Sequence, residues 1–255
     1  MLNFATEIAR EAGNLLVQRL GIAKITTKGD INLVTEADIA AENLIIERIR
    51  SYYPQHGILA EESGEAILVG GKRSDWKWII DPLDGTTNYA HGYPCFCVSI
   101  ALEHKGELEI GVVYDPMRDE MFAAERGRGA TLNDRKIRVS SVEQLNSAML
   151  CTGFPYNVRD RADFARDFAK FTMAAQAVRR DGSAALDLAY VACGRFDGFW
   201  EDGLSPWDIA AGALLIYEAR GTITNFNKEQ LDIYNEQILA SNGLIHDAML
   251  QVLRS

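Results

Sequence analysis

"WIIDPLDGTTNYAHGYP" (Trp78–Pro94) joins an apolar run to two aspartates that lie three residues apart, Asp81 and Asp84. Pro82 lacks a backbone donor and is expected to end the strand, and Gly85 permits a turn that a Cβ would hinder. Carboxylates at the end of a buried strand repel each other unless a positive charge lies between them. Either these acids only accept hydrogen bonds from local N–H groups at a strand-to-turn corner, or they hold a cation.

Other acidic residues follow or begin apolar segments elsewhere in the chain. Glu61 and Glu62 come directly after the run ILA, and Asp208 lies in the first turn of a predicted helix. Each has a simple explanation, a solvated loop pair for the glutamates and a favourable helix dipole for Asp208. Together with Asp81 and Asp84, they form a hard oxygen set without His or Cys, which selects Mg²⁺, Mn²⁺ or Ca²⁺ over Zn²⁺. Several bridging carboxylates are typical of sites where two or more Mg²⁺ ions hydrolyse phosphate esters.

The composition is that of an ordinary globular protein of 255 residues, with 47% hydrophobic and 24% charged residues. A formal net charge of −10 argues against nucleic acid or an anionic membrane as the main partner, because both require basic patches. No apolar run approaches the ~18 residues of a membrane span and no secretion signal is recognisable, so we expect a cytoplasmic protein.

The four cysteines, Cys95, Cys97, Cys151 and Cys193, lack metal-binding spacing and are expected to be reduced, buried thiols.

Helical periodicity marks two amphipathic segments near the start of the chain. The first is LNFATEIAREAGNLLVQRL (2–20), and the second is TEADIAAENLIIERIRSYYP (35–54), which ends before a proline. The second segment has a set of residues at helical spacing that we predict to share one face: Ile39, Asn43, Leu44, Ile46 and Ile49.

Short apolar or alternating runs between about residues 57 and 139 predict a largely antiparallel sheet, with a hairpin that turns at Asn133–Asp134. After Asn146 strands and helices alternate. We therefore predict an α+β half over residues 1–146, which carries the metal-binding loops, and an α/β half over residues 147–255. No low-complexity linker separates the halves, so we expect them to pack as one globular unit.

With these motifs, the chain resembles the inositol monophosphatase family, within a group of Mg²⁺-dependent, lithium-sensitive phosphatases. The resemblance covers nearly the whole chain and is strongest in the opening motif and in WDIAAGALLIYEARG (207–221). Four shorter stretches support it: LVTEAD (33–38), AEES (60–63), ATLNDRKIRVS (130–140) and RRDGSAALDLAYVACGRFDGFWE (179–201). It implies a layered αβαβα sandwich, a homodimer and hydrolysis of myo-inositol monophosphate by a metal-activated water.

For the cations, the resemblance implies a set of carboxylates and one carbonyl: Glu61, Asp81, Asp84, Asp208 and the main-chain oxygen of Leu83. These would hold two or three Mg²⁺ ions, with Mn²⁺ able to replace Mg²⁺ and with Li⁺ and Ca²⁺ as inhibitors. In a chain of net charge −10, such cations would also allow an anionic ester to bind.

The same resemblance assigns the catalytic residues. Glu61 and Thr86 would position or activate the attacking water, and Asp38 would support Thr86 and a metal-bound water. Thr35 and Asp38 also have the spacing of a capping box, with Asp in place of Glu or Gln, which by itself explains both residues. The two roles are compatible.

For the substrate, a small phosphorylated polyol or sugar, the resemblance implies phosphate binding at the backbone N–H groups of Gly85 and Thr86. The complete set of implied contact residues is Leu83, Asp84, Gly85, Thr86, Gly182, Ser183, Ala184, Glu201 and Asp208. Gly182 and Ser183 could equally begin a helix, and Glu201 could be an ordinary acid at a strand end.

Several phosphate esters are candidate substrates. RRDGSAALD (179–187) is similar to the prokaryotic branch of the family, which includes members that cleave fructose 1,6-bisphosphate. Histidinol phosphate and an adenosine bisphosphate are further alternatives. Arg179 and Arg180 could bind a second phosphate or remain solvated. A non-catalytic binding protein on the same fold would be expected to have lost a ligand, and every implied position is retained.

Overall fold

The computed structural model describes residues 1–28, 32–66, 74–154 and 163–255. The helices are α1 (Leu2–Arg19), α2 (Glu36–Tyr52), α3 (Thr86–Ala90), α4 (Asp163–Ala174), α5 (Ala184–Ala192), α6 (Pro206–Glu218) and α7 (His246–Arg254). The strands of the first part are β1 (Ile25–Lys28), β2 (Asn32–Thr35), β3 (Gly57–Ala60), β4 (Gly64–Ala66), β5 (Trp76–Asp84), β6 (Cys97–His104), β7 (Glu107–Asp115), β8 (Glu120–Glu125), β9 (Gly129–Leu132) and β10 (Arg135–Lys136). The later strands are β11 (Met149–Thr152), β12 (Ala177–Arg179), β13 (Gly198–Asp202), β14 (Thr222–Thr224) and β15 (Gln237–Ser241).

Five layers stack in the order helix, sheet, helix, sheet, helix. Helices α1 and α2 cover one face of an eight-stranded sheet with the order β10-β9-β8-β7-β6-β5-β3-β4. Its described strands pair antiparallel except for β3 and β5, which are parallel. Helices α5 and α6 lie between this sheet and a five-stranded mixed sheet, β12-β11-β13-β15-β14, whose outer face α4 and α7 cover. The fold is the layered αβαβα sandwich that the sequence predicted.

The strands of the eight-stranded sheet are apolar on both sides because helices cover both faces. Along β6, the side chains of Val98, Ile100 and Leu102 pack with α1 and α2. The alternate residues Cys97 and Ala101 pack with α5 and α6. A nearly continuous apolar run in the sequence therefore contributes side chains to two separate layers of the core.

Helix α2 is rotated relative to the face that the sequence predicted. Ile39, at 48% exposure, and Asn43 face the solvent, whereas Ile46 and Ile49 are buried as expected. The acids Asp38 and Glu42 are buried instead, and both accept hydrogen bonds there. Apolar periodicity located this helix and two of its buried positions, but it did not identify the buried acids.

The hairpin between β9 and β10 turns at Asn133 and Asp134, as predicted. These residues have φ of 48° and 63°, the positive values that a two-residue type I′ turn requires and that Asn and Asp tolerate. The sequence did not predict the β1–β2 pair or the three-residue strands β4, β12 and β14. Elements this short contain too few residues for a periodic signal.

One apolar cluster joins the two predicted halves. It contains Ile79, Val113 and Phe122 from the eight-stranded sheet together with Leu188 of α5 and Leu214 of α6. The division at residue 146 stays a prediction, and this shared cluster is a reason to expect the two parts to fold together.

None of the described helices has the length and apolar character needed to cross a membrane. All four cysteines are free thiols. Cys95, Cys97 and Cys151 are buried as expected, whereas Cys193 is half-buried. Burial is the main cause that raises the pKa of Cys95 to about 12, so this thiol is unreactive at neutral pH.

Candidate active site

A β-bulge in β5 brings the two aspartates of the opening motif to the same side of the strand. Asp81 pairs with Ser99 of β6. Asp84 pairs with Cys97. Asp81 and Asp84 are three residues apart, whereas their partners Ser99 and Cys97 are two residues apart, so β5 contains one extra residue at this point. Side chains three apart point to opposite faces of a regular strand, and the extra residue removes that difference. Pro82 therefore does not end the strand, as the sequence suggested, but lies inside it at the bulge, where its missing N–H is tolerated.

Helix α6 supplies a third carboxylate. Ser205 and Pro206 begin the helix, and the Ser205 N–H donates to Asp208 Oδ2 at 2.7 Å, which fixes the side chain in the first turn. Because α6 packs against β5, β6 and β7, Asp208 is carried to the bulge. One carboxylate oxygen from each of Asp81, Asp84 and Asp208 lies within 4.8 Å of the other two.

Burial and mutual repulsion raise the pKa values of these carboxyl groups. For Asp81 the largest cause of the raised pKa is burial, followed by the charges of Glu61 and the two other aspartates. Burial, and then the charge of Asp84, raises the pKa of Asp208 to about 7. Burial likewise raises the pKa of Asp84. A divalent cation would relieve this repulsion, and the all-oxygen donor set suits a hard ion.

Asp38 and Thr86 form a buried hydrogen-bonded pair next to the bulge. Thr86 Oγ1 lies 3.1 Å from Asp38 Oδ1 and 3.0 Å from the Leu83 carbonyl oxygen, so its single proton is donated to one of them. The other oxygen of Asp38 accepts from the Thr35 N–H at 2.8 Å and from the Thr35 hydroxyl. Asp38 thus completes the capping box of α2 and contacts Thr86 at the same time, so capping and support of Thr86 are compatible. Its role toward a metal-bound water stays a prediction.

Asp84 also determines where α5 begins. Its Oδ2 accepts hydrogen bonds from the Ser183 hydroxyl and the Ala185 N–H, both at 2.7 Å. Ser183 is the residue that precedes the helix. Gly182 and Ser183 therefore do begin a helix, and they begin it directly against a residue of the carboxylate cluster.

A cavity of about 110 Å³ opens beside the cluster. Eight of the nine predicted substrate contacts line it: Asp84, Gly85, Thr86, Gly182, Ser183, Ala184, Glu201 and Asp208. The ninth, Leu83, is fully buried, and its carbonyl oxygen lies near the Thr86 hydroxyl. Glu61 lies close enough to Asp81 for its charge to raise the pKa of that carboxyl group. The structure thus brings together residues from β5, α5, β13 and α6.

Comparisons with known proteins identify the relatives of this chain. The model of the inositol monophosphatase family matches residues 1–255. The chain belongs to the inositol monophosphatase family. Among curated relatives, the Nus factor SuhB of Pseudomonas aeruginosa is 46% identical and the match covers 100% of this chain and 96% of that protein. The inositol-1-monophosphatase of Synechocystis sp. is also 46% identical, over 99% of this chain and 88% of that protein. The solved inositol monophosphatase of Anabaena (Nostoc) sp. is 48% identical, with a TM-score of 0.90, over 99% of this chain and 94% of that one.

The cavity of this inositol monophosphatase family member also contains residues outside the predicted site, among them Gly153 and Asp187. A Cβ on Gly153 would lie 2.2 Å from both carboxylate oxygens of Glu201, so the residue must be glycine for that acid to keep its position. Asp187 is buried within α5, between apolar neighbours. The signals that could have found them are a glycine inside the apolar, strand-like run AMLCTGF (148–154) and one acid inside an otherwise apolar helix.

Proposed function

We propose that this chain is a Mg²⁺-dependent phosphomonoesterase that hydrolyses myo-inositol monophosphate to myo-inositol and phosphate. The observation that carries the proposal is the meeting of Asp81, Asp84 and Asp208, with oxygens within 4.8 Å of one another, at the edge of the cavity. Four acids and one arginine, Arg180, line the cavity, so bound metal cations would be needed to offset the excess negative charge toward an anionic ester. The identity of 46% with the Synechocystis inositol-1-monophosphatase supports inositol as the alcohol.

The residues that would hold Mg²⁺ are Glu61, Asp81, Asp84, Asp208 and the Leu83 carbonyl. When bound, such ions lower the pKa of a water and neutralise charge on the phosphate and the leaving oxygen. The contribution of the chain is to fix the ligands in advance, through the bulge in β5 and the capping box of α6.

Thr86 and Glu61 are assigned to the attacking water. Since Asp38 and the Leu83 carbonyl both compete for the Thr86 proton, the lone pairs of that hydroxyl remain available to accept from a water O–H. Glu61 follows β3, where its N–H donates to the Ile80 carbonyl at 3.2 Å, and its carboxylate would take the proton of the water as general base.

The remaining cavity residues are assigned to the ester. Gly85 adopts a φ of 98° immediately before α3, and its N–H and that of Thr86 would donate to phosphate oxygens. Glu201 is buried at 7% exposure and would accept hydrogen bonds from ring hydroxyls together with Asp208.

The proposal is tested by measuring phosphate release from myo-inositol 1-phosphate and from fructose 1,6-bisphosphate, each with Mg²⁺ and with EDTA. We expect Mg²⁺-dependent release with the higher kcat/KM for the inositol ester. Comparable rates on both would indicate a dual-activity enzyme, for which Arg180 at the cavity offers a cation for the second phosphate. Histidinol phosphate and adenosine 3′,5′-bisphosphate complete the series. A folded protein that releases phosphate from none of these esters contradicts the proposal.

Metal binding is expected to depend on pH in a way that thermal unfolding can report. The raised folded-state pKa of Asp208, about 7, lies above its unfolded value of about 3.9. The folded state then holds a proton that the unfolded state has lost, so the melting temperature of the metal-free protein falls as pH rises from about 4 to about 7. Mg²⁺ should raise the melting temperature by about 5 °C at pH 8 and by much less at pH 5.5, where protons compete for the carboxylates. Scanning fluorimetry measures both.

The matched variant for this experiment is Asp208→Asn, which keeps the shape of the side chain and cannot titrate. It should flatten the dependence of the melting temperature on pH and reduce the shift caused by Mg²⁺. A wild-type melting temperature that does not respond to Mg²⁺ at any pH would argue against a cation at this cluster.

A second candidate function follows from the relatives named Nus factor SuhB, which are as similar to this chain as the Synechocystis enzyme is. The name indicates a role connected with transcription, which could exist beside phosphatase activity or in place of it. Binding of the purified chain to RNA polymerase and to RNA, compared between wild type and Asp81→Asn, would test it.

The absence of a nucleic-acid partner, the homodimer, the cytoplasmic location and the lithium sensitivity all stay predictions.

A further inference from the structure

Asp187 is a buried acid to which the proposed mechanism gives no role. It lies in α5 with only 1% of its surface exposed, between the buried residues Leu186 and Leu188. Among the residues that the structure describes, none donates a hydrogen bond to its Oδ1, which is buried. Burying a carboxyl oxygen without a partner costs free energy, so proteins retain such a group mainly where it serves a function.

The position of Asp187 is tied to the catalytic residues. Its N–H donates to the Ser183 carbonyl at 3.0 Å, one helical turn away, and the Ser183 hydroxyl donates to Asp84. Asp187 also lines the cavity of about 110 Å³ together with Glu201 and Asp208. The Asp187 side chain therefore belongs to a wall of the site in which the alcohol part of the ester would lie.

We infer that Asp187 binds a hydroxyl group of the substrate's alcohol, and that this contact makes the enzyme select ring polyols over rings of similar size without hydroxyls. The inference rests on the proposed function. A buried oxygen without a donor is matched by a group that brings an O–H of its own. A phosphate oxygen of the ester can only accept hydrogen bonds, and an aliphatic CH group neither donates nor accepts them.

A cation is a poorer occupant for this position than a hydroxyl. A metal ion needs several ligand atoms within reach of one point. In the described part of the chain, the acids that satisfy this condition are Asp81, Asp84 and Asp208, and Asp187 is not one of them. Because polar sites built to hydrogen-bond a substrate hydroxyl strongly reject analogues that lack it, the contact would act on specificity.

The test compares two substitutions on two esters. Asp187→Leu keeps roughly the shape of the side chain and removes its hydrogen-bonding atoms, whereas Asp187→Asn keeps an acceptor and adds a donor. The esters are myo-inositol 1-phosphate and cyclohexyl phosphate, which has a ring of the same size without hydroxyls. Both are measured with Mg²⁺ as kcat/KM, or as the inhibition constant of cyclohexyl phosphate where its turnover is slow.

We expect Asp187→Leu to lower kcat/KM for the inositol ester by about 10- to 100-fold and to change the cyclohexyl value by less than about threefold. Asp187→Asn should recover most of the loss. Equal losses on the two esters would assign Asp187 a structural role and overturn the inference, as would an unchanged preference for the inositol ester. If the leucine variant does not fold, Asp187→Ala gives the same comparison.

The outcome also separates this inference from the proposed function. Wild-type protein that releases phosphate from neither ester would overturn the phosphatase proposal itself and the inference with it. Wild-type protein that cleaves the inositol ester, with variants that keep its preference, would overturn the role of Asp187 alone.

Discussion

Replacing Asp81 by asparagine is expected to lower kcat/KM for myo-inositol 1-phosphate by about 10³-fold or more, because metal charge stabilisation in such sites is worth several kcal/mol. The loss should come from charge and not from shape. Asp81 Oδ1 accepts from the Leu83 N–H at 2.9 Å, and the asparagine amide oxygen can accept the same bond. The turn at the bulge is therefore retained while one anionic ligand is removed.

The same substitution should leave the metal-free fold intact or stabilise it. Burial and the neighbouring acids raise the pKa of Asp81, which means that its charged form is unfavourable in the absence of a cation. The melting temperature without metal should then be unchanged or higher, and the rise caused by Mg²⁺ should largely disappear. Scanning fluorimetry with and without Mg²⁺ reports this independently of catalysis.

A matched control is Asp134→Asn, which makes the same chemical change at an exposed turn residue with a φ of 63°. Asparagine tolerates this conformation, so both activity and the response to Mg²⁺ should match those of the wild type. Full activity in Asp81→Asn would contradict the role of the cluster, whatever the control shows.

Replacing Gly85 by alanine is expected to cost about 2 kcal/mol or more of stability and about 10²-fold in activity. Gly85 has a φ of 98°, a value that side chains with a Cβ rarely adopt. The new Cβ would lie 2.9 Å from the Cys95 carbonyl oxygen and 3.2 Å from Phe96 Cα, and both of these are backbone atoms that cannot move aside cheaply. The turn that presents Asp84 and Thr86 must shift to accommodate it.

Gly106→Ala separates the two causes of this effect. Gly106 has a similar φ of 86°, but among the described residues beyond its two chain neighbours no atom lies within 4 Å of where its Cβ would be. It should therefore show the conformational cost alone, about 1 kcal/mol, with unchanged kcat/KM. Denaturant unfolding and phosphate release on both variants give the comparison. Equal stability losses with full activity in Gly85→Ala would show that the turn is not part of the site.

Much of the fold could be predicted because the signals are local. Helical spacing located α1 and α2, and the pair Asn133 and Asp134 predicted the hairpin, whose positive φ values these residue types tolerate. The acids at the ends of apolar runs also stood out without any knowledge of the fold. The resemblance of two long motifs to one family then predicted which residues would contact a substrate, and eight of these nine predicted residues line the cavity.

What sequence alone determined about this protein is therefore the type of each long element and the chemical character of the site, since both depend on residues close together in the chain. The tertiary structure decided which acids meet. The β-bulge at Pro82 turns Asp81 and Asp84 to one side, and packing of α6 on the sheet adds Asp208. The tertiary structure also places Ile39 at the surface and buries Asp187 beside the cavity. These outcomes depend on contacts between segments far apart in the chain, which no local pattern records.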